Sequence, residues 1–571
     1  MKKRIRIILV AVGLASFVTY SCKESFLDQP PLGAISETSL ANSAGVNGAL
    51  ITTYRSLTGS NVANWYTSPM NWVWGGVRSD DAYKGTESSD QGQINPIERF
   101  EVLPNNGSVG DKWLACYDGI GMANTTLRLL AQAKDLSDVQ KKQIEAEARF
   151  IRAYHHFEAK RVFNNVPFVD EKAVSTADYK ALTNDKNIYP TIEAELKFAF
   201  DNLPATQAQI GRVNKWAAGA FLAKVFVYQS KFAEAKALYD QIIANGVTAG
   251  GQKYGLLPNY GDVFKGDFEN AQETIFSIQY TVGDGTGGAN SNKDGELTNP
   301  HNDGPVGCCG FYQPAQTLVN AFKTGADGLP LSNYNATDVR NHENSPTDFP
   351  DRGRFDPRLD HTLGRVGVPF LDWGKASSSW IRNLANGGPY MPKKHIQYKS
   401  EVGKYFVSGG WGQGQSGKNQ LTMRFSDLLL MAAECEVEVG TLAKAQEYVN
   451  LVRNRAKSGM VVMDGATPAA NYVVNPYTAA WTDKAIARNA VRFERFIELG
   501  MEGHRFFDLV RWGIADQVKN EFFGREGRVR THLSGARFTK GKDEYLPIPE
   551  SVIAQSTTTG GKPALTQNPG Y

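Results

Sequence analysis

Cysteine is scarce in this chain, with five in 571 residues. No CxxC pair occurs and none of the five has metal-ligand spacing. A zinc-ribbon fold is thereby excluded, and so is a disulfide framework, which needs far more cysteine in so long a chain. Cys116, Cys308, Cys309 and Cys435 read as core or loop residues, the adjacent Cys308 and Cys309 included. The eight histidines form no HExxH pair, and no GxSxG elbow is present. An excess of one charge is also lacking: 62 Lys and Arg stand against 59 Asp and Glu. Nucleic acid binding needs a basic patch to replace counterions, and this balance offers none. No apolar run reaches the about 20 residues of a spanning helix, so the body of the chain is expected to be soluble.

What is present begins at the first residue. Met1-Lys2-Lys3-Arg4 is a basic head, followed by a short apolar stretch from Ile5 to Val18 and then Ser21-Cys22. This is the layout of a secretory signal, and the small residue before a cysteine predicts cleavage after residue 21 and lipidation of Cys22. Loss of residues 1–21 removes four basic residues and takes the formal charge from +3 to −1.

The remainder reads as mainly α. Residues 137–163 are predicted as a long helix: Ser137 and Gln140 spell a capping box, and Ile144, Ala148, Ile151, His155, Ala159 and Val162 fall on one face. Residues 214–245 form a helix pair broken near Ser230-Lys231, and 420–457 form another broken at Gly440. A third, 484–518, turns between Gly500 and Gly503. The first two pairs match each other. Ala223, Val227, Phe232, Ala233, Ala235, Tyr239 and Ile242 correspond, at a constant shift of 210, to Ala433, Val437, Leu442, Ala443, Ala445, Val449 and Val452. Small residues at a helix crossing are what tetratricopeptide-type hairpins use to stack on a shared core. Between the pairs, 246–419 holds short strand-like runs such as Thr274–Val282, set among Gly, Asn, Asp and Pro. Polar loops on a rigid scaffold are where binding surfaces usually lie.

Three motifs are incomplete. Gly283 to Gly288 spells GxGxxG but is followed by turn formers, not the helix a dinucleotide needs. Gly412 to Lys418 matches GxxxxGK, yet Asn419 stands where a hydroxyl would meet magnesium. Asn290, Asn292, Asp294 and Gly295 resemble half of a calcium loop, but the twelfth position is His301, not Glu. No cofactor and no metal is expected, and nothing recommends an enzyme. The ten tryptophans are more useful. Trp65, Trp72 and Trp74 lead to Asp80, Asp81, Tyr83 and Lys84, while Trp373, Trp380 and Trp411 lie in the Gly-rich middle. Flat rings stack on the apolar faces of sugars, and neighbouring polar groups bind hydroxyls. Any one of these rings can equally be a core residue.

Taken in order, several segments resemble the SusD/RagB family of outer-membrane nutrient-binding lipoproteins. They are Cys22-Lys-Glu-Ser-Phe-Leu-Asp28 with Pro30 and Gly33; Ala148-Arg-Phe-Ile-Arg-Ala-Tyr154 through Asn165-Val-Pro167; and Phe311 through Phe322. Glu494-Arg-Phe-Ile-Glu-Leu-Gly500 with His504-Arg-Phe-Phe-Asp-Leu-Val-Arg-Trp512 is the most specific, and Tyr545-Leu-Pro-Ile-Pro549 and Gln567 to Tyr571 match the ending. The resemblance implies one domain over 22–571 after the signal at 1–21. Its scaffold of four tetratricopeptide-like units would lie at about 114–245 and 420–518, its ligand loops at about 55–100 and 246–419. It further implies capture of an oligosaccharide at the cell surface and delivery to a SusC-like TonB-dependent transporter, with Lys23-Glu24 as an export signal. Relatives that bind starch carry an aromatic arc where this chain offers only Tyr83 after Asp81, which argues against starch. A peptide ligand and a surface glycoside hydrolase are the alternatives.

Overall fold

The computed structural model describes residues 37–59, 64–407, 414–557 and 560–571. Cys22, the signal segment and Trp411 lie outside the described residues.

The longer helices, numbered in chain order, begin with α1 (Ser43–Arg55), α2 (Gly107–Gln132) and α3 (Asp138–Phe163). They continue with α4 (Tyr189–Asn202), α5 (Lys215–Val227) and α6 (Phe232–Asn245). Later come α7 (Phe425–Val439), α8 (Leu442–Ser458) and α9 (Lys484–Glu498). Their starts follow from side chains that satisfy amides left unpaired in the first turn. Ser137 and Gln140 form the capping box at α3, while Asn214, Thr441 and Asp483 cap α5, α8 and α9. The six residues expected on one face of α3 are all buried, and so is every residue from Phe150 to Phe163. The helix is flanked by α2 on one side and α4 on the other.

Each helix from α1 to α8 packs on the next. The two matched hairpins are therefore neighbours: α6 lies against α7 although the chain between them runs from 246 to 424. The repeat extends to burial. Ala235, Tyr239 and Ile242 are enclosed like Ala445, Val449 and Val452, while Ala233 and Ala443 are both exposed.

The intervening excursion forms only two-stranded sheets among the described residues. With β1 (Ala82–Gly85), they include β2 (Thr274–Ile278), β3 (Phe311–Pro314), β4 (Leu363–Arg365), β5 (Tyr390–Pro392) and β6 (Gln420–Arg424). β2 runs antiparallel to β6, which leads directly into α7, so the excursion is pinned where it leaves and where it returns. β1 pairs with β3 and β4 with β5, both antiparallel.

A buried ion network ties this excursion to the scaffold. Arg358 meets Asp356 at 2.7 Å, Glu494 at 2.6 Å and Glu498 at 2.8 Å. Arg424 meets Glu273 at 2.9 Å, Glu498 at 2.6 Å and Glu502 at 2.8 Å, and Arg453 and Arg455 complete it. Desolvation opposes every one of these charges, yet the arginines hold Glu498 well below the usual carboxylate range and Glu502 at about 2. The 494–512 segment is thus structural. Within it Arg505 bonds Asp80, and Asp508 pairs with Arg495 and Arg511.

Candidate functional site

The residues expected to face a ligand are mostly interior. Trp72 and Trp74 have no exposed surface, and their indole N–H groups donate to the carbonyls of Trp65 and Tyr66 at 2.6 Å. They lie in a single wide turn of helix, Trp72–Val77, that is wholly buried. Asp80 is held by Arg505 at 2.8 Å. Asp81 accepts from the Ser79 hydroxyl at 2.6 Å and from the Met501 amide at 3.2 Å, and burial raises its pKa to about 7. Tyr83 donates to Glu526 at 2.6 Å. Trp380 packs edge-to-face on Phe370. These six side chains are core: partners more than 400 residues away satisfy Asp80, Asp81 and Tyr83, nearby carbonyls hold the indoles of Trp72 and Trp74 within the main apolar core, and a local apolar cluster encloses Trp380. Lys84 is also buried, but its ammonium has a different use. Trp65 and Trp373 alone keep part of the ring exposed among the described candidates.

Lys84 donates to the carbonyls of Glu87, Ser88 and Asp90 at 2.8 to 3.2 Å, which shapes the loop after β1. Two more loops are stitched to it. The Thr86 amide donates to Gly310 O at 2.6 Å, joining it to the segment 299–310 that leads into β3. The side chain of Arg382 reaches Asp90 at 2.5 Å, Glu87 at 2.5 Å and Thr86 at 3.1 Å, and Asn386 donates to the carbonyls of Gly85 and Thr86. The His301 amide donates to Trp380 O at 2.8 Å, and Ser379 donates to Asp303 at 2.8 Å. Three loops, 86–94, 299–310 and 377–388, thus form one braced polar surface. Asn302, Asp303, Ser378 and Ser379 are exposed on it, and Glu87, Asp90, His301 and Arg382 partly so. Burial, with Arg382 nearby, lowers the pKa of His301, so its ring is neutral at pH 7. Its Nδ1 is shielded from solvent and has no hydrogen-bond partner among the described residues.

The expectation for the adjacent cysteines is corrected on the same surface. Cys308 and Cys309 are joined to each other as a disulfide, between Gly307 and Gly310. Neither this bridge nor Arg382 and His301 was singled out as a ligand group by sequence. The visible signal was a cysteine pair between two glycines in a turn-rich stretch.

Other concave surfaces have less to offer. A groove of about 410 Å³ is lined by Tyr54, Arg55, Arg212, Gln279 and Tyr280, but the Tyr54 hydroxyl and Arg212 are already bonded to Glu147. A larger one, about 860 Å³, lies along α1 and α2 and is lined mainly by apolar side chains and glycines. Among the described residues no three His, Cys, Asp or Glu side chains are placed to hold a metal. Asn292, part of the calcium-like stretch, is turned inward and donates to Lys418 O at 2.9 Å. No helix among the described residues is long and apolar enough to cross a membrane.

Residues 272–571 match the model of the SusD family. The chain belongs to that family. Residues 67–227 also match a second SusD-like model, described as starch-binding associating with outer membrane. The SusD-like protein P2 of Formosa agariphila is 24% identical over 512 residues, 87% of each chain. Among solved structures, a SusD superfamily protein from Bacteroides vulgatus superposes with a TM-score of 0.70 at 20% identity, covering 93% of this chain and all of that one. A laminarin binding SusD-like protein gives 0.67 at 22%, with the same coverage. The stacked hairpins and the mainly α content are those of the SusD fold. The periodicities predict the paired helices, and the family resemblance implies the SusD fold. These relatives are named as binding proteins or by family alone.

Proposed function

We propose that this SusD-family chain is a lipid-anchored cell-surface protein that captures an oligosaccharide and passes it to a SusC-like TonB-dependent transporter in the outer membrane. The observation that carries the reading is the braced three-loop surface of Glu87, Asp90, His301, Asp303 and Arg382 on a SusD scaffold. Fixed carboxylates, a guanidinium and a neutral imidazole suit a ligand rich in hydroxyls. Each hydroxyl both donates and accepts, and a preformed surface spares the ordering entropy that a mobile one would lose. Trp373 packs against the apolar cluster that holds Trp380 and Ile381 of the 377–388 loop, Trp65 lies in a helical turn in contact with residues 294–297 just before 299–310, and Trp411 is a third candidate ring. The family relative named for laminarin supports a glycan ligand, and a β-glucan is the first to try. The signal and the family support anchoring through Cys22 and exposure on the cell exterior.

Calorimetry with laminarihexaose, xylohexaose, mannohexaose and maltohexaose tests the reading. Saturable binding of at least one is the expected result. Binding of none, or release of reducing ends from any, refutes it in favour of a peptide-binding protein or a hydrolase.

A further inference from the structure

The aromatic rings that a sugar-binding surface ordinarily presents are largely withdrawn here, since Trp72, Trp74 and Trp380 are buried. The surface nevertheless holds one compact apolar group. The Cys308–Cys309 bridge is partly exposed, and its two neighbours are Gly307 and Gly310, so no adjacent side chain shades it. It is also held in place. Gly310 donates to Asn299 O at 2.9 Å and accepts from the Thr86 amide at 2.6 Å, and both glycines have positive φ, 76° and 75°, which glycine adopts without strain. A Cβ built on Gly310 would lie 3.4 Å from the Arg382 Cβ and 3.7 Å from the His301 Cβ. Gly310, next to the bridge, therefore lies against the stems of Arg382 and His301.

Resting on the glycan reading above, we infer that the Cys308–Cys309 disulfide is a ligand contact: a small apolar platform on which the face of one sugar ring lies, while His301 and Arg382 bond its hydroxyls. Oxidation matters to this role. Closing the bridge removes two S–H groups and leaves a polarisable disulfide that is partly exposed. Reduction opens it to two thiols that are free to turn away, and capture weakens. A chain exported from the cytosol keeps such a bridge, because the exterior is oxidising.

The test uses the chain in a Cys22→Ala background. Dithiothreitol transfers two electrons and two protons, splitting the S–S bond into two thiols and closing itself into a cyclic disulfide; the thiols are then blocked with iodoacetamide. Cys116 and Cys435 are buried and burial raises both pKa values, that of Cys116 to about 12, so they are not blocked in the folded protein. Affinity for laminarihexaose, or for whichever hexasaccharide of the panel binds, is measured before and after, beside a Cys308→Ala/Cys309→Ala variant. Losing an apolar contact of this size should weaken binding about tenfold in both, with the melting temperature little changed. Saturating hexasaccharide should also slow reduction of the bridge, a readout that a purely structural disulfide would not give. If the blocked protein and the double variant bind as tightly as the oxidised one, or if ligand leaves the rate of reduction unchanged, the inference is overturned while the glycan reading stands. If the oxidised protein binds no hexasaccharide, the glycan reading falls and the inference with it.

Discussion

Arg358→Met removes a cation with no exposed side-chain surface from the junction between the excursion and the scaffold. Three carboxylates face it, and the loss is uneven among them. Asp356 accepts two side-chain bonds from Arg358, at 2.9 and 2.7 Å, and one from its backbone amide at 3.0 Å, and has no other ion-pair partner among the described residues, whereas Glu494 keeps Arg453 and Glu498 keeps Arg424 and Arg455. The variant thus strands mainly Asp356, which is itself 1% exposed. Breaking a buried pair by removing one partner costs about 3–5 kcal/mol. For a chain of this length the unfolding entropy is about 1.1 kcal/mol per kelvin, so the expected fall in melting temperature is roughly 3–5 °C. Arg358→Met/Asp356→Leu should recover part of it, because no orphaned carboxylate is left. Differential scanning fluorimetry of the two single variants and the double gives the coupling directly. A single variant that melts within 1 °C of the parent, or a double that falls by the sum of the singles, would show that the network contributes no net stability.

The same network fixes the acid limb. Glu498 and Glu502 titrate below their unfolded value, so the stability they contribute is fully present above pH about 4.3 and is lost as pH falls through about 2. Melting temperature should hold from pH 7 to 5 and fall steeply below 4; a flat profile down to pH 3 refutes this. Trp72→Ala should lower stability by about 3–5 kcal/mol through the cavity it leaves. Trp373→Ala should instead weaken hexasaccharide binding by up to about tenfold with a much smaller change in melting temperature; the reverse pattern in paired melts and calorimetry would exchange their roles. Cys22→Ala, expressed in cells that lack the proposed SusC-like transporter, should yield unacylated protein missing from the outer membrane fraction, since stable anchoring takes more than one chain. Protein that stays membrane-bound and open to external protease shows another anchor.

The fold was legible where its determinants are local. The Ser137–Gln140 box and the break at Gly440 each sit within one or two helical turns, and each half of the match at a shift of 210 lies within a single helical hairpin. α2 was read less well, because Gly110, Gly119 and Gly121 weaken its helical signal. Gly119 has a tertiary cause: a Cβ there would lie 2.2 Å from His155 Nε2. The site was read least well. Asp80, Asp81, Tyr83 and Lys84 look like a ligand stretch because polar residues are rarely buried alone. Their burial is made possible by Arg505, Met501, Glu526 and nearby carbonyls, partners that for the first three lie beyond residue 500 and that no local pattern reveals. Arg382 likewise becomes a site residue only when folding brings it to Glu87 and Asp90.

The adjacency of α6 and α7 makes everything from 246 to 424 a loop inserted between two touching helices, fastened at its neck by β2 and β6 and by Arg424. Lengthening such a loop costs the scaffold little, since each doubling adds only about 0.6 kcal/mol of closure entropy. The neck carries that constraint, and the tip is released from it. A protein of this design can exchange the surface that its excursion carries, by insertion or deletion far from the neck, while its stacked helices go on folding as before.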